Sequence, residues 1–136
     1  MKKSILILVA VIISAISFSA FKPANDIKVI AIANRADWCS ICKAYAGRAV
    51  ATFTENNKDN YFQFILNDVT NEETKKSSKP AIVKAGLEKT LEGSLAAGVL
   101  SFYDAKSKKL LAQVTVANTP EEITATMNAV REKASK

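Results

Sequence analysis

Two cysteines, Cys39 and Cys42, are the only thiols of this 136-residue chain, and they share the run Trp38-Cys39-Ser40-Ile41-Cys42-Lys43. The chain contains no histidine. That absence removes Ser-His-Asp and Cys-His catalytic pairs, His-ligated zinc and imidazole proton shuttling. It also removes c-type haem attachment, because Lys43 stands where that motif requires His. A purely structural disulfide, a metal site, two unconnected buried thiols and a redox dithiol remain. Closing so small a loop stabilises a fold by only about 2 kcal/mol in the chain-entropy model. A metal would need two or more further ligands, and here only carboxylates or a second molecule could supply them, so no metal residues are assigned. Reversible thiol–disulfide exchange is the chemistry the segment supports best, and it needs no metal or organic cofactor.

The flanking residues give the pair its setting. Ile27-Lys28-Val29-Ile30-Ala31-Ile32-Ala33 is a β-rich and nearly all-apolar run, as expected of a strand buried on both faces of a sheet. From Ser40 the period changes. Ile41, Tyr45, Ala49 and Phe53 recur every four residues with Cys42, Ala46 and Val50 beside them, which predicts an amphipathic helix with Tyr45 in the core. The helix ends near the polar stretch from Asn56 to Asn60. A thiol at a helix start faces unpaired backbone N–H groups and the positive end of the helix dipole, and both favour the thiolate. Such sites lower a cysteine pKa from about 8.5 toward roughly 7 or below. Cys39 is therefore the expected nucleophile. Cys42, one turn inward, is the expected resolving thiol that attacks the mixed disulfide.

Further along, Tyr61 to Leu66 forms a second aromatic and β-branched run, so strand, helix and strand make a parallel βαβ unit. Residues 71–97 are the hardest to read. Ser78 ahead of Lys79-Pro80 predicts a helix cap, with the helix running to about Leu91 and Gly93 ending it. Val99 to Tyr103 and Leu110 to Val116, joined by a polar turn, predict a β-hairpin. Thr119-Pro120-Glu121-Glu122 is a capping box with proline at the first helical position, opening a last helix whose stripe is Ile123, Met127, Val130 and Ala134.

The N-terminus belongs to a different grammar. Lys2 and Lys3 precede an apolar stretch from Ile5 to Ile16, and small residues follow at Ser17, Ser19 and Ala20. This is the pattern of a secretory signal peptide over 1–20, with an uncleaved membrane anchor as the rival. The folded domain is then 21–136, located in the periplasm or secreted. The chain carries 19 Lys+Arg against 13 Asp+Glu. This excess is scattered, and the aromatic-studded basic face of a nucleic-acid binder is missing.

The run from Val29 to Lys43 resembles the active-site strand and helix start of the thioredoxin superfamily. Ala36-Asp37-Trp38-Cys39-Ser40-Ile41-Cys42-Lys43 is most similar to the C-terminal thioredoxin-like domain of bacterial transmembrane thiol:disulfide interchange proteins. Leu66 to Thr70, the hairpin of Val99 to Val116 and the helix of Thr119 to Ser135 fit the same layout. The resemblance implies a thioredoxin-like α/β fold, a central mixed sheet flanked by helices. It implies an exported thiol:disulfide oxidoreductase, monomeric, acting on protein disulfide substrates and a redox partner protein on the reducing side. A membrane enters only if residues 1–20 stay uncleaved. Cys39 would be the exposed nucleophile, Cys42 the resolving thiol, and Trp38 part of the substrate-binding rim. Gly98 would face substrate where thioredoxins carry a cis-proline, with Pro80 as an alternative for that proline. Ala33 stands where many thioredoxins place a buried acid. The competing reading is a non-catalytic binding module with a static Cys39–Cys42 disulfide.

Overall fold

The computed structural model describes residues 27–93 and 96–136; the segment 1–20, read above as a signal peptide, lies outside them. The first apolar run becomes β1 (Val29–Arg35), with six of its seven residues buried. After α1 (Ser40–Glu55) comes β2 (Phe62–Asp68), which pairs parallel to β1 with Val29 opposite Phe62 and Arg35 opposite Asp68. Two helices, α2 (Glu72–Lys84) and the single turn α3 (Glu88–Leu91), lead to β3 (Val99–Asp104), β4 (Leu110–Thr115) and α4 (Pro120–Ala134). The sheet order is β2-β1-β3-β4, with β3 antiparallel to both of its neighbours. β1 is thus an interior strand covered on both faces, which is why its sequence shows no polar alternation.

Period-two alternation along each strand divides the core in two. Val29, Ala31, Phe62, Leu100, Phe102 and Val114 face α1 and α4, whose Phe53, Ile123, Met127 and Val130 complete one layer. On the other face, Ile30, Ile32, Ile65 and Tyr103 meet Ile82, Leu87 and Leu91 from the α2–α3 region. α4 starts as its sequence predicts: Thr119 caps it and forms a capping box with Glu122. Among the described residues no helix is long and apolar enough to cross a membrane.

Two readings change. The helix expected to begin at Ser78 begins at Glu72, because Asn71 forms a capping box with Thr74, and Ser78 lies inside the helix. The Ser78 hydroxyl instead accepts the Asp68 backbone N–H at 2.9 Å, tying α2 to the end of β2. Pro80 also lies inside α2, and no peptide bond among the described residues is cis. Pro80 therefore does not take the place of the substrate-facing proline. The second change is in α1. Cys42, Ala49 and Phe53 are buried, whereas Ile41, Tyr45 and Val50 are exposed. The Tyr45 ring lies outside under the Arg48 guanidinium, 4.9 Å from its centroid. Arg48 in turn donates to the Ala117 and Asn118 carbonyls. Ala49 and Phe53 make the contact with the sheet, and Ile41 and Tyr45 of the predicted stripe lie outside it.

Candidate functional site

The cysteine pair sits where β1 ends and α1 begins. Between the two elements, residues Ala36 to Trp38 form a tight turn in which the Cys39 N–H bonds the Ala36 carbonyl at 3.1 Å. Cys39 is the N-cap of α1 in extended conformation, and its Sγ accepts the Cys42 backbone N–H at 3.2 Å. Cys39 and Cys42 are joined as a disulfide with Cα atoms 5.3 Å apart. An N-cap normally offers an oxygen to the orphan N–H groups of the first turn. Here a sulfur takes that place, so negative charge released on Cys39 by reduction would meet a backbone donor and the positive helix end.

The residue that leads into β3, the strand beside β1, approaches the Cys39 sulfur. Gly98, just ahead of β3, donates its N–H to the Asn34 carbonyl at 2.8 Å, and its own carbonyl accepts from Val116 at 2.9 Å. Its φ is +82°, a backbone state that costs a side-chain-bearing residue about 1–2 kcal/mol. A Cβ at this position would lie 2.6 Å from Ile41 Cδ1 and 3.5 Å from Cys39 Sγ. Glycine is thus favoured by the backbone conformation, a Cβ here would displace the Ile41 side chain, and its absence lets the backbone approach Cys39. Cys39, Cys42 and Gly98 lie together at this junction. The expectation that Cys39 would be the exposed member is not met: Cys39 is 6 % and Cys42 7 % exposed, packed with Ala36, Val69 and Ala97. Ala36, Val69 and Ala97 pack around the pair, and Gly98 closes in on the Cys39 side.

Trp38 is the open part of the site at 64 % exposure, and it is fixed at one end only. Its indole N–H donates to the Thr70 carbonyl at 3.2 Å. The Thr70 hydroxyl accepts the Asp37 N–H at 3.0 Å and approaches Asp68 Oδ1 at 2.5 Å. Arg35 reaches Asp68 at 2.8 Å and also pairs with Asp37. The hydrogen bond from the Thr70 hydroxyl holds the Asp68 carboxyl below its ordinary range, with the Thr70 backbone N–H and the Arg35 charge adding to it and partial burial opposing. Nothing in the local sequence marks Asp68 and Thr70 as partners of Arg35 and Asp37. All four join the β1–α1 turn to the β2–α2 turn.

A buried polar pair lies beneath these turns. Asn34 and Asn67, 6 % and 4 % exposed, stand opposite each other in the parallel register and share a 2.9 Å hydrogen bond. The available signal was one Asn at the same late point of two apolar strands. Ala33 is in the core, on the α1–α4 face, so the position that holds an acid in many thioredoxins carries no titratable group here. Among the described residues, no cluster of three or more His, Cys, Asp or Glu side chains could hold a metal ion.

A βαβ unit, an antiparallel hairpin and a closing helix surround a cysteine pair at the first strand–helix junction. The fold is thioredoxin-like. No family model matches the chain, and no curated protein matches it. Among solved structures, the chain is similar to Trxlp from Edwardsiella tarda EIB202 at 12 % identity and a TM-score of 0.46, over 75 % of this chain and 84 % of that one. It is similar also to the Malassezia sympodialis thioredoxin Mala s 13 at 15 % identity and a TM-score of 0.46, over 76 % of this chain and 79 % of that one.

Proposed function

We propose that the protein is an exported thiol:disulfide oxidoreductase that reduces disulfides of protein partners. The observation that carries this reading is Cys39 at the N-cap of α1, its sulfur within reach of the Cys42 N–H and bonded to Cys42. In the reduced protein the Cys39 thiolate attacks one sulfur of a partner disulfide. A Cys39–partner bond forms, and the partner's other sulfur leaves as a thiolate that takes up a proton. Cys42, deprotonated by water because no acid or base from Ala33 is at hand, then attacks Cys39 Sγ. The Cys39–Cys42 disulfide forms and the second partner thiol is released, so two electrons pass to the partner. A thiol donor, by the resemblance of the Trp38–Lys43 segment a membrane reductant, restores the dithiol. Trp38 and the Gly98 backbone line the approach to the sulfurs.

The burial of both sulfurs supports a second reading, a binding module with a static disulfide. One titration separates the two. Trp38 is the single Trp of the chain and adjoins the dithiol. Its fluorescence, followed with thiol trapping across glutathione and dithiothreitol buffers, reports the redox state directly. A reversible two-electron transition at about −200 to −270 mV is expected. Cys42→Ser should then trap mixed disulfides through Cys39, and Cys39→Ser should trap none. A pair that stays oxidised below about −300 mV behaves as a structural bridge and overturns the oxidoreductase reading.

A further inference from the structure

We propose that the end of the molecule remote from the cysteines is a docking surface for an anionic phospholipid bilayer. The positive excess is scattered along the sequence, and the fold gathers much of it where β1 begins. The Lys28 carbonyl accepts the Ala105 N–H at 3.0 Å, and the Lys28 N–H bonds the Tyr61 carbonyl at 3.2 Å. These bonds set the entry to β1 beside the β3–β4 turn and the start of β2. Lys28, Lys106 and Lys136 line one hollow there. The same turn supplies Lys108 and exposed Lys109. Lys108 reaches the chain beyond α2, since a Cβ on Gly86 would lie 3.2 Å from its Cε, so Lys84 at the end of α2 belongs to this end too. Lys133 in the last turn of α4 donates to the Leu111 carbonyl at 3.0 Å.

The acids near this end are largely engaged. Glu55 pairs with Lys58, Asp59 with Arg131 and Glu88 with Lys79. The Asp104 carboxylate accepts the Lys106 and Ser107 N–H groups and the Ser107 hydroxyl within its own turn, and the nearby Lys106 charge offsets it. Lys28, Lys84, Lys109, Lys133 and Lys136 form no ion pair among the described residues. Around the cysteines the balance is different. Asp37 and Asp68 share Arg35, Glu72 and Glu73 open α2, and Glu121 and Glu122 open α4, as helix dipoles favour. Those acids lie a full strand length away, well beyond the Debye length of about 8 Å, so a charged surface at the lysine-rich end would not feel them.

Two observations select a bilayer as the occupant. The apolar run from Ile5 to Ile16, behind Lys2 and Lys3, joins the fold through Ile27 at this same end. The residues between them, 17–26, reach at most about 35 Å, so whenever that run lies in a bilayer this end is the one held near the headgroups. The second observation excludes the commonest other polyanion. Binding single-stranded nucleic acid takes open aromatic rings for the bases, and the Tyr61 ring at this end is covered by the Arg131 guanidinium, 4.6 Å from its centroid. Each lysine brought to an anionic lipid surface strengthens partition about fivefold, so a handful acting together suffices for reversible docking. Docking here would leave the cysteines facing away from the lipid, toward a partner in solution.

The test takes the protein as its producing cell delivers it and compares vesicles of phosphatidylcholine alone with vesicles that also contain phosphatidylglycerol. The neutral vesicles account for anything that residues 1–20, if retained, contribute. More protein should sediment with the anionic vesicles, and the excess should vanish at high salt. An amine-acetylating reagent read by mass spectrometry should label Lys28, Lys106 and Lys136 more slowly on the anionic vesicles, and Lys43, Lys75 and Lys76 at an unchanged rate. Lys28→Gln, Lys106→Gln and Lys136→Gln together should lower the anionic excess about a hundredfold. Lys43→Gln, Lys75→Gln and Lys76→Gln together remove the same charge near the cysteines and should change it by less than about twofold. Equal sedimentation and equal labelling on both kinds of vesicle overturn the proposal. Equal weakening by the two triple substitutions overturns it as well, because net charge alone would then carry the binding. So does tight binding to an oligonucleotide with none to anionic vesicles, which would make the surface a nucleic-acid site.

Discussion

At the scale of single residues, the cysteine pair and its place between strand and helix were legible, and the residues that brace it were not. The spacing of Cys39 and Cys42 and the switch from strand to helix between Ala33 and Ser40 are local, so they could be read directly. The Asp68–Thr70–Arg35 network depends on residues about a strand–helix–strand unit apart, brought together only by the β1–β2 register. Asn34 and Asn67 escaped notice for the same reason. Asp68 supplies a test of the network. Its carboxyl is held low by the Thr70 hydroxyl bond first, then by the Thr70 backbone and Arg35, against desolvation. A depressed carboxyl contributes stability that is present above its unfolded value, near 3.8, and is lost as pH falls through the lower folded value. Asp68→Asn should therefore cost about 1–2 kcal/mol at neutral pH in urea unfolding. The stabilities of the two proteins should converge as the pH is taken through and below that range. A difference that persists undiminished in acid would show that packing, not charge, carries the effect.

At the scale of elements, capping boxes and β-rich runs were good guides, and proline was a poor one. Thr119 and Glu122 opened α4 where the motif stands. In the 71–97 region, Pro80 drew the predicted helix start toward Ser78, because proline is well tolerated in a first turn. The actual start was set by Asn71 and Thr74, a capping pair without the usual acidic third residue. Pro80 consequently removes one N–H from the helix interior and crowds the carbonyl four residues earlier. Pro80→Ala should stabilise the protein by about 1–2 kcal/mol, the helix gain being partly offset by a freer unfolded chain. Thermal unfolding with and without the substitution measures this, and a lower melting temperature would mean that α2 needs a bend at this point. In α1 the predicted stripe is buried in its second half, at Ala49 and Phe53, whereas at its start Cys42 turns inward in place of Ile41 and Tyr45, a choice between adjacent apolar positions that only packing could make.

At the scale of the whole molecule, one central sheet carries two unequal layers. The α1–α4 layer is rich in aromatic rings: Phe53, Phe62 and Phe102 meet edge to face or at steep angles. Phe102 is fully buried at the middle of it. Phe102→Ala should cost about 3–5 kcal/mol, as a cavity in a packed core does, and chemical denaturation would read it as a lower midpoint at an unchanged slope. The fold class followed from the order of elements in the sequence, whereas the lysine-rich end emerged only once the strand directions were known. The chain path has a practical corollary. Ile27 and Lys28, leading into β1, line the same hollow as Ala134, Ser135 and Lys136 at the end of α4. β1 runs away from that hollow for seven residues, roughly 23 Å, before reaching the cysteines. The entry to β1 and the end of α4 accordingly share one pole and the sulfurs occupy the other, so a tag or neighbour fused after Lys136 is anchored away from the cysteines and leaves them open to a partner.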